Sequence, residues 1–185
     1  MNQETTNQVK TILGELSDTN LRNYFTTDFG REKNPNGISV IVPQADARNL
    51  INRLRGQLSQ DVVVFLGTSQ WLGDEKHHGV EVVVGEGDSQ FDIVRLAQSD
   101  AVNFDMGTED LIIKLRTYHE QFGIDIFHAE TDTIGFDLIT LPQNLDEFVQ
   151  DVYEFCPDIV DQGTGTLEAL TEVIRGSKQV YLWWD

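Results

Sequence analysis

Apolar residues along the chain fall into two periods, and the two alternate. Val9, Ile12, Leu13 and Leu16 recur at i, i+3, i+4 and i+7, the stripe of an amphipathic helix. Asp18 can cap a second short helix reaching to about Phe25. The stretch REKNPNG, 31–37, reads as a loop, and ISVIVP, 38–43, as a strand ended by proline. Pro43 can open a helix, on which Ala47, Leu50, Ile51 and Leu54 take helical spacing. DVVVFL, 61–66, is a continuous apolar run and predicts a strand buried on both faces. After the polar loop 67–79 come a strand at VEVVV, 80–84, and a short helix from Phe91 to Leu96.

The second half repeats the alternation. Thr108 caps a helix with Glu109 and Asp110 in its first turn, where the helix dipole favours acids. Leu111, Ile112, Leu115, Tyr118 and Phe122 form its apolar stripe, and Gly123 ends it. IDIFHA, 124–129, and TIGFDLITL, 133–141, predict a hairpin. Asn144 and Glu147 make a capping box for a helix whose core face is Leu145, Phe148, Val149, Val152 and Phe155. Leu167, Leu170, Val173 and Ile174 mark the last helix, with Gly176 after it, and VYLWW, 180–184, a terminal strand.

One device occurs twice. IVPQADARNLINRL and TLPQNLDEFVQDV both read strand, Pro-Gln, amphipathic helix, with a buried strand later. The expectation is an α+β fold with a mixed β-sheet, two strand–Pro-Gln–helix–strand units and an N-terminal helical segment; right-handed crossovers make the sheet mixed. Residues 1–30 are read as the helical segment and 31–185 as a single α+β domain.

Composition narrows the function. The net charge is −18 and it is uneven: residues 1–99 carry 13 acids and 9 bases, while residues 100–185 carry 18 acids and only Lys114, Arg116, Arg175 and Lys178. Such a surface repels phosphate backbones, which argues against nucleic acid, and it attracts basic proteins and divalent cations. Plain solubility is the competing explanation. No run of about 18 apolar residues suggests a membrane helix. The start, MNQETTNQVK, lacks the apolar core of a signal peptide, and one cysteine cannot form an internal disulfide. These features point to the cytoplasm.

Three stretches could carry chemistry. A hairpin loop centred on Thr131 and Asp132 pairs Ala129 with Ile134 and Phe127 with Phe136. That puts Phe127, Ala129, Ile134, Phe136 and Leu138 on a core face, and His128, Glu130 and Asp137 on the other. Gly135 then lies opposite His128 and leaves space above it. A histidine with two carboxylates can ligate a cation or do acid–base work, or it can be a solvated hairpin end. The second stretch is EFCPDIVDQGTGT, 154–166. Pro157 stops a helix, Asp158 and Asp161 can accept backbone N–H bonds around Gly163 to Thr166, Gly163 and Gly165 permit a tight path, and Thr164 or Thr166 can cap the next helix. Cys156 reads as an inert core thiol. No lysine follows the glycines as in a phosphate loop, and the acids are too few for an EF-hand. Third, His77 and His78 sit with Asp74 and Glu75 in a polar loop, and His119 beside Glu120 on a helix; all read as solvated. A divalent cation fits this composition, and the sequence requires none.

YEFCPDIVDQGTGT, 153–166, and the closing YLWWD, 181–185, with one helix between them, resemble an uncharacterised bacterial family, the domain of unknown function 4253. GIDIFHAETDTIGFDL, 123–138, is similar to its central hairpin, and the resemblance spans about 104–185. The resemblance implies a fold and no mechanism. Two functions are compatible with the chain. One is a non-enzymatic acidic binding protein, the immunity- or antitoxin-like partner of a basic protein. The other is a metal-dependent enzyme or small-ligand binder using the His/carboxylate cluster of the hairpin. Neither fixes an oligomeric state.

Overall fold

The computed structural model describes residues 3–14, 21–24, 26, 37–69 and 79–185. The fold is mixed α+β with an N-terminal helix, as the sequence predicts. Its contacts divide the chain into two compact units, one of residues 1–98 with 129–131, the other of 99–128 with 132–185.

In the first unit, helix α1 (Gln3–Gly14) is followed by strands β1 (Arg22–Asn23) and β2 (Gly37–Val42), helix α2 (Gln44–Gln57), strands β3 (Val62–Leu66) and β4 (Val80–Glu86), and helix α3 (Phe91–Ala97). The strands lie in the order β1-β2-β4-β3, every neighbour antiparallel, with Ser39 and Phe65 both opposite Val83. The helical period is realised where it was read, except that Leu16 lies outside the described residues. Val9, Ile12 and Leu13 of α1 and Ala47, Leu50, Ile51 and Leu54 of α2 pack with Val40, Val42, Val64, Val80, Val82 and Val84 in one core. Pro43 stands immediately before α2, where its missing N–H costs nothing. The expected helix from Asp18 to Phe25 is not what forms at Arg22 and Asn23. They extend as β1 against Ile38 and Ser39, because a free strand edge offers more hydrogen bonds than a single isolated turn. The loop at 31–37 lies outside the described residues except Gly37, which opens β2. Of the loop 67–79, residues 70–78, with His77, His78, Asp74 and Glu75, lie outside them too.

The second unit opens with a 3-10 turn (Val102–Phe104) closed by an Ala101–Met106 bridge. Helix α4 (Thr108–Phe122), strands β5 (Ile124–Ala129) and β6 (Thr133–Leu138), helix α5 (Leu145–Phe155), a π-helical turn (Ile159–Thr164), helix α6 (Leu167–Ser177) and strand β7 (Gln179–Trp183) follow. Strand β6 pairs antiparallel with β7, Gly135 opposite Tyr181. The interior is aromatic: the Tyr118 ring centroid lies 5.3 Å from Phe148, 6.1 Å from Phe136 and 6.3 Å from Phe155. Trp184 is buried beside Phe155, its indole N–H donating to the Phe155 carbonyl at 3.2 Å.

The two Pro-Gln junctions differ in detail. Strand β6 stops at Leu138, so Ile139 to Leu141 are not strand, and Pro142 is buried ahead of the Asn144 cap rather than serving as the cap. Asn144 caps α5 as read, its Oδ1 accepting from the Glu147 N–H at 3.3 Å and its amide donating to Glu147 Oε2 at 3.0 Å. Helix α6 runs through Gly176 to a left-handed Lys178, and Val173 faces outward.

Candidate functional site

A cleft of about 630 Å³ opens between α4 and the 140–151 segment of the second unit. Helical spacing builds it. Lys114, Tyr118 and Gln121 recur on one face of α4, and Glu147, Phe148 and Asp151 on one face of α5. Asn144 and Pro142 fix the chain entering α5 and shape the far wall. At the floor, Lys114 Nζ lies 2.6 Å from Asp151 Oδ1, and the Tyr118 hydroxyl donates to Asp151 Oδ2 at 2.8 Å. The Lys114 ammonium also sits 5.2 Å from the Tyr118 ring centroid and 5.9 Å from that of Phe155, within cation–π reach. Burial and then the hydrogen bond to Asp151 push the Tyr118 phenol far above its ordinary range, so it acts as a donor and not as a base. The Lys114 and Asp151 side chains remain 29% and 44% exposed, which keeps this cation–carboxylate pair open to the cleft.

The first unit holds a polar cluster of another kind. Glu81, the second residue of β4, is 3% exposed. Ser39 Oγ donates to its Oε1 and the Thr68 N–H to Oε2 at 3.4 Å. Burial raises the Glu81 pKa, against the lowering effect of the Ser39 and Thr68 bonds and the Arg22 charge. Burial, then the charges of Glu81 and Glu130, also push the Tyr24 phenol well up. Glu130 is fastened here as well: Ser69 donates to its Oε1 from both N–H, at 3.0 Å, and hydroxyl, at 2.7 Å. Thr26 Oγ1 is buried with no hydrogen-bond partner among the described residues.

The predicted site residues each take a different partner. His128 is buried, not solvated, and its ring meets Tyr181 edge-on at 5.8 Å. Gly135 does face it, but the space above is filled: a Cβ there would lie 3.0 Å from the Tyr181 ring and 3.1 Å from His128 Cβ. Glu130 bonds to Ser69, and Asp137 accepts from the Gln179 amide at 2.9 Å. Among the described residues, no three His, Cys, Asp or Glu side chains come together as a metal-holding group. In the 154–166 stretch, Asp158 and Asp161 do not hold the amides of Gly163 to Thr166. The π-helical turn satisfies its own backbone, Gly165 N–H donating to the Val160 carbonyl at 2.8 Å. Asp158, buried, instead accepts from the Asp185 N–H at 3.0 Å and the Gln162 amide at 2.9 Å. Asp161 accepts from the Tyr153 hydroxyl at 3.2 Å. Pro157 ends α5, Gly163 makes room for the Trp183 ring, Gly165 turns at φ 79° and Thr166 caps α6 through the Ala169 N–H at 3.1 Å. Cys156 is fully buried, its Sγ donates to the Trp183 carbonyl at 3.0 Å, and burial pushes its pKa up to about 12. This stretch ties α5, α6 and the C-terminus together. His119 is exposed and its Nδ1 accepts from the Ile124 N–H at 3.2 Å.

The model of the family described as Domain of unknown function (DUF4253) matches residues 81–185. The chain belongs to the DUF4253 family. No curated protein and no solved structure matches it. The match reaches further back than the 104–185 resemblance, to Glu81 itself, and contains every residue lining the cleft. The DUF4253 region thus carries both a buried acid and an open cation–carboxylate pair that motif reading passed over. Glu81 had a signal: it is the single acid inside an otherwise apolar strand, VEVVV. Lys114, Tyr118 and Asp151 had a weaker one, since only the packing of α4 on α5 brings them together.

Proposed function

We propose that this DUF4253 protein is a binding protein whose acidic C-terminal half meets a basic protein partner, in the manner of an immunity or antitoxin protein. The supporting observation is where the charge sits. Of the 18 carboxylates in residues 100–185, twelve are exposed and one, Asp158, is buried. The four bases do little to offset them, with Lys114 paired to Asp151 and Arg175 to Glu172. Helix α5, LDEFVQDVYEF, presents acids and no base. A field of one sign speeds the encounter with an oppositely charged partner and selects against like-charged ones.

The test is capture of partners from the source cell by the folded chain, followed by association kinetics at two salt concentrations. The Debye length shrinks from about 30 Å at about 0.01 M salt to about 8 Å at about 0.15 M. The expected result is a partner with a basic face and an on-rate that falls across that range. A partner lacking such a face, or an on-rate indifferent to salt, overturns the reading.

A further inference from the structure

We infer that the cleft between α4 and α5 receives an arginine side chain, held between Glu147 and Asp151; the inference rests on the reading that the partner is a basic protein. The cleft already holds one cation in this way. Lys114 reaches Asp151 at 2.6 Å while lying over the Tyr118 and Phe155 rings, so carboxylate and aromatic faces together form a cation subsite. That internal cation does not exhaust the site. A carboxylate offers about four acceptor positions, and Asp151 is given two donors, Lys114 and Tyr118. One turn earlier on the same helix face, Glu147 is exposed and lines the same cleft. Glu147 and Asp151 are like charges at i and i+4, a repulsive pair that a cation between them relieves. Between them in sequence, Phe148 adds an aromatic wall.

A guanidinium fits this arrangement better than a second ammonium. It is planar, it can bond to two carboxylates through separate N–H edges, and it stacks on rings while staying weakly hydrated. The side-chain amides of Gln121, Gln143 and Asn144 around the mouth can meet the backbone of the segment that carries it. An anion is disfavoured, because the cleft's one ammonium is already neutralised and two carboxylates line the same wall.

The experiment needs no partner, so its failure and the failure of the protein-binding reading are distinguishable. The full chain, labelled with nitrogen-15, is titrated with N-acetyl-L-arginine methylamide, with its neutral citrulline counterpart and with N-acetyl-L-glutamate methylamide. Expected are saturable shifts confined to residues around 114–122 and 140–151 with the arginine probe, at a Kd on the order of 1 mM. Glu147→Gln, which keeps an acceptor for the Asn144 amide, should weaken binding about two- to fivefold, the scale of one exposed charge pair. Lys114→Gln removes the competing ammonium and should tighten it. If the citrulline probe binds equally well, if the glutamate probe binds better, or if Lys114→Gln weakens arginine binding, the inference is wrong. Shifts scattered over the acidic surface, or none that saturate, overturn it too. Should Lys114→Gln fail to fold, Glu147→Gln and the three probes still decide.

Discussion

Glu81 and Asp151 are hydrogen-bonded carboxyl groups, one in each unit, and they illustrate opposite uses of an acid. Glu81 is sealed among neutral donors, Ser39 and the Thr68 backbone, so the cost of desolvation outweighs its bonds and its pKa rises. Asp151 faces a cation at 2.6 Å and an open cleft. The difference teaches that the number of bonds to an acid does not set its role. Access to water and the charge of the donors do. The first acid fastens β2, β4 and the chain after β3 to one another; the second is presented to solvent with a cation beside it. It follows that the stability of the second unit should come from its aromatic interior and hardly at all from the cleft pair.

The largest expected effect tests that corollary. Trp184 is 4% exposed, packs on Phe155 at 5.4 Å and bonds to the Phe155 carbonyl. Trp184→Ala should cost about 3–5 kcal/mol, the range for deleting a buried large aromatic. Urea denaturation measures it. Near-wild-type stability would mean that the second unit is not held by its rings.

Glu81 comes next. Glu81→Ala leaves Ser39 and the Thr68 N–H without their acceptor in a buried place, at a cost of about 1–3 kcal/mol. Glu81→Gln sharpens the comparison through pH. The folded pKa is raised above the unfolded value, so the wild-type group contributes fully below the unfolded range, about 4.3, and that contribution is lost as pH rises through the folded value. Glutamine cannot ionise. The stability of Glu81→Gln relative to wild type should therefore climb from about pH 4 toward neutrality. Parallel stability curves for the two proteins across that range would show that Glu81 titrates like an exposed acid.

The same contrast explains what the sequence disclosed. Period and most caps were legible because they are local: the α2 stripe, the Asn144 cap, the Thr166 cap and the buried Cys156 all stand where residue types alone put them, whereas Gly107 takes the cap position of α4 and the expected cap, Thr108, is its first helical residue. The hairpin's core face was legible too, with Phe127, Ala129, Ile134, Phe136 and Leu138 all buried. Alternation assumes one wet face, however, and in β5 only Asp125 is half-exposed, while His128 and Ile126 are buried like Phe127. The expected His/carboxylate cluster failed for that reason, its members being drawn to Tyr181, Ser69 and Gln179. Asp158 was expected to serve the backbone nearest in sequence and serves the C-terminus instead, a partner 27 positions away. The cleft was hardest to foresee, because Lys114 and Asp151 are 37 positions apart and each looks like an ordinary surface charge.

The smallest expected effect belongs to that pair. A half-exposed Lys–Asp contact gains little from Coulomb attraction in high dielectric and loses side-chain freedom on both partners. A double-mutant cycle over Lys114→Gln and Asp151→Asn isolates the contact from what each residue does alone. The coupling should be about 0.2–1 kcal/mol and should shrink as salt is raised. Asparagine keeps an acceptor for the Tyr118 hydroxyl, so the cycle leaves that bond in place. A coupling of several kcal/mol that ignores salt would place Lys114 and Asp151 with Glu81, as groups that hold the fold. They would then no longer be charges available to a partner, and the distinction between the two acids would collapse.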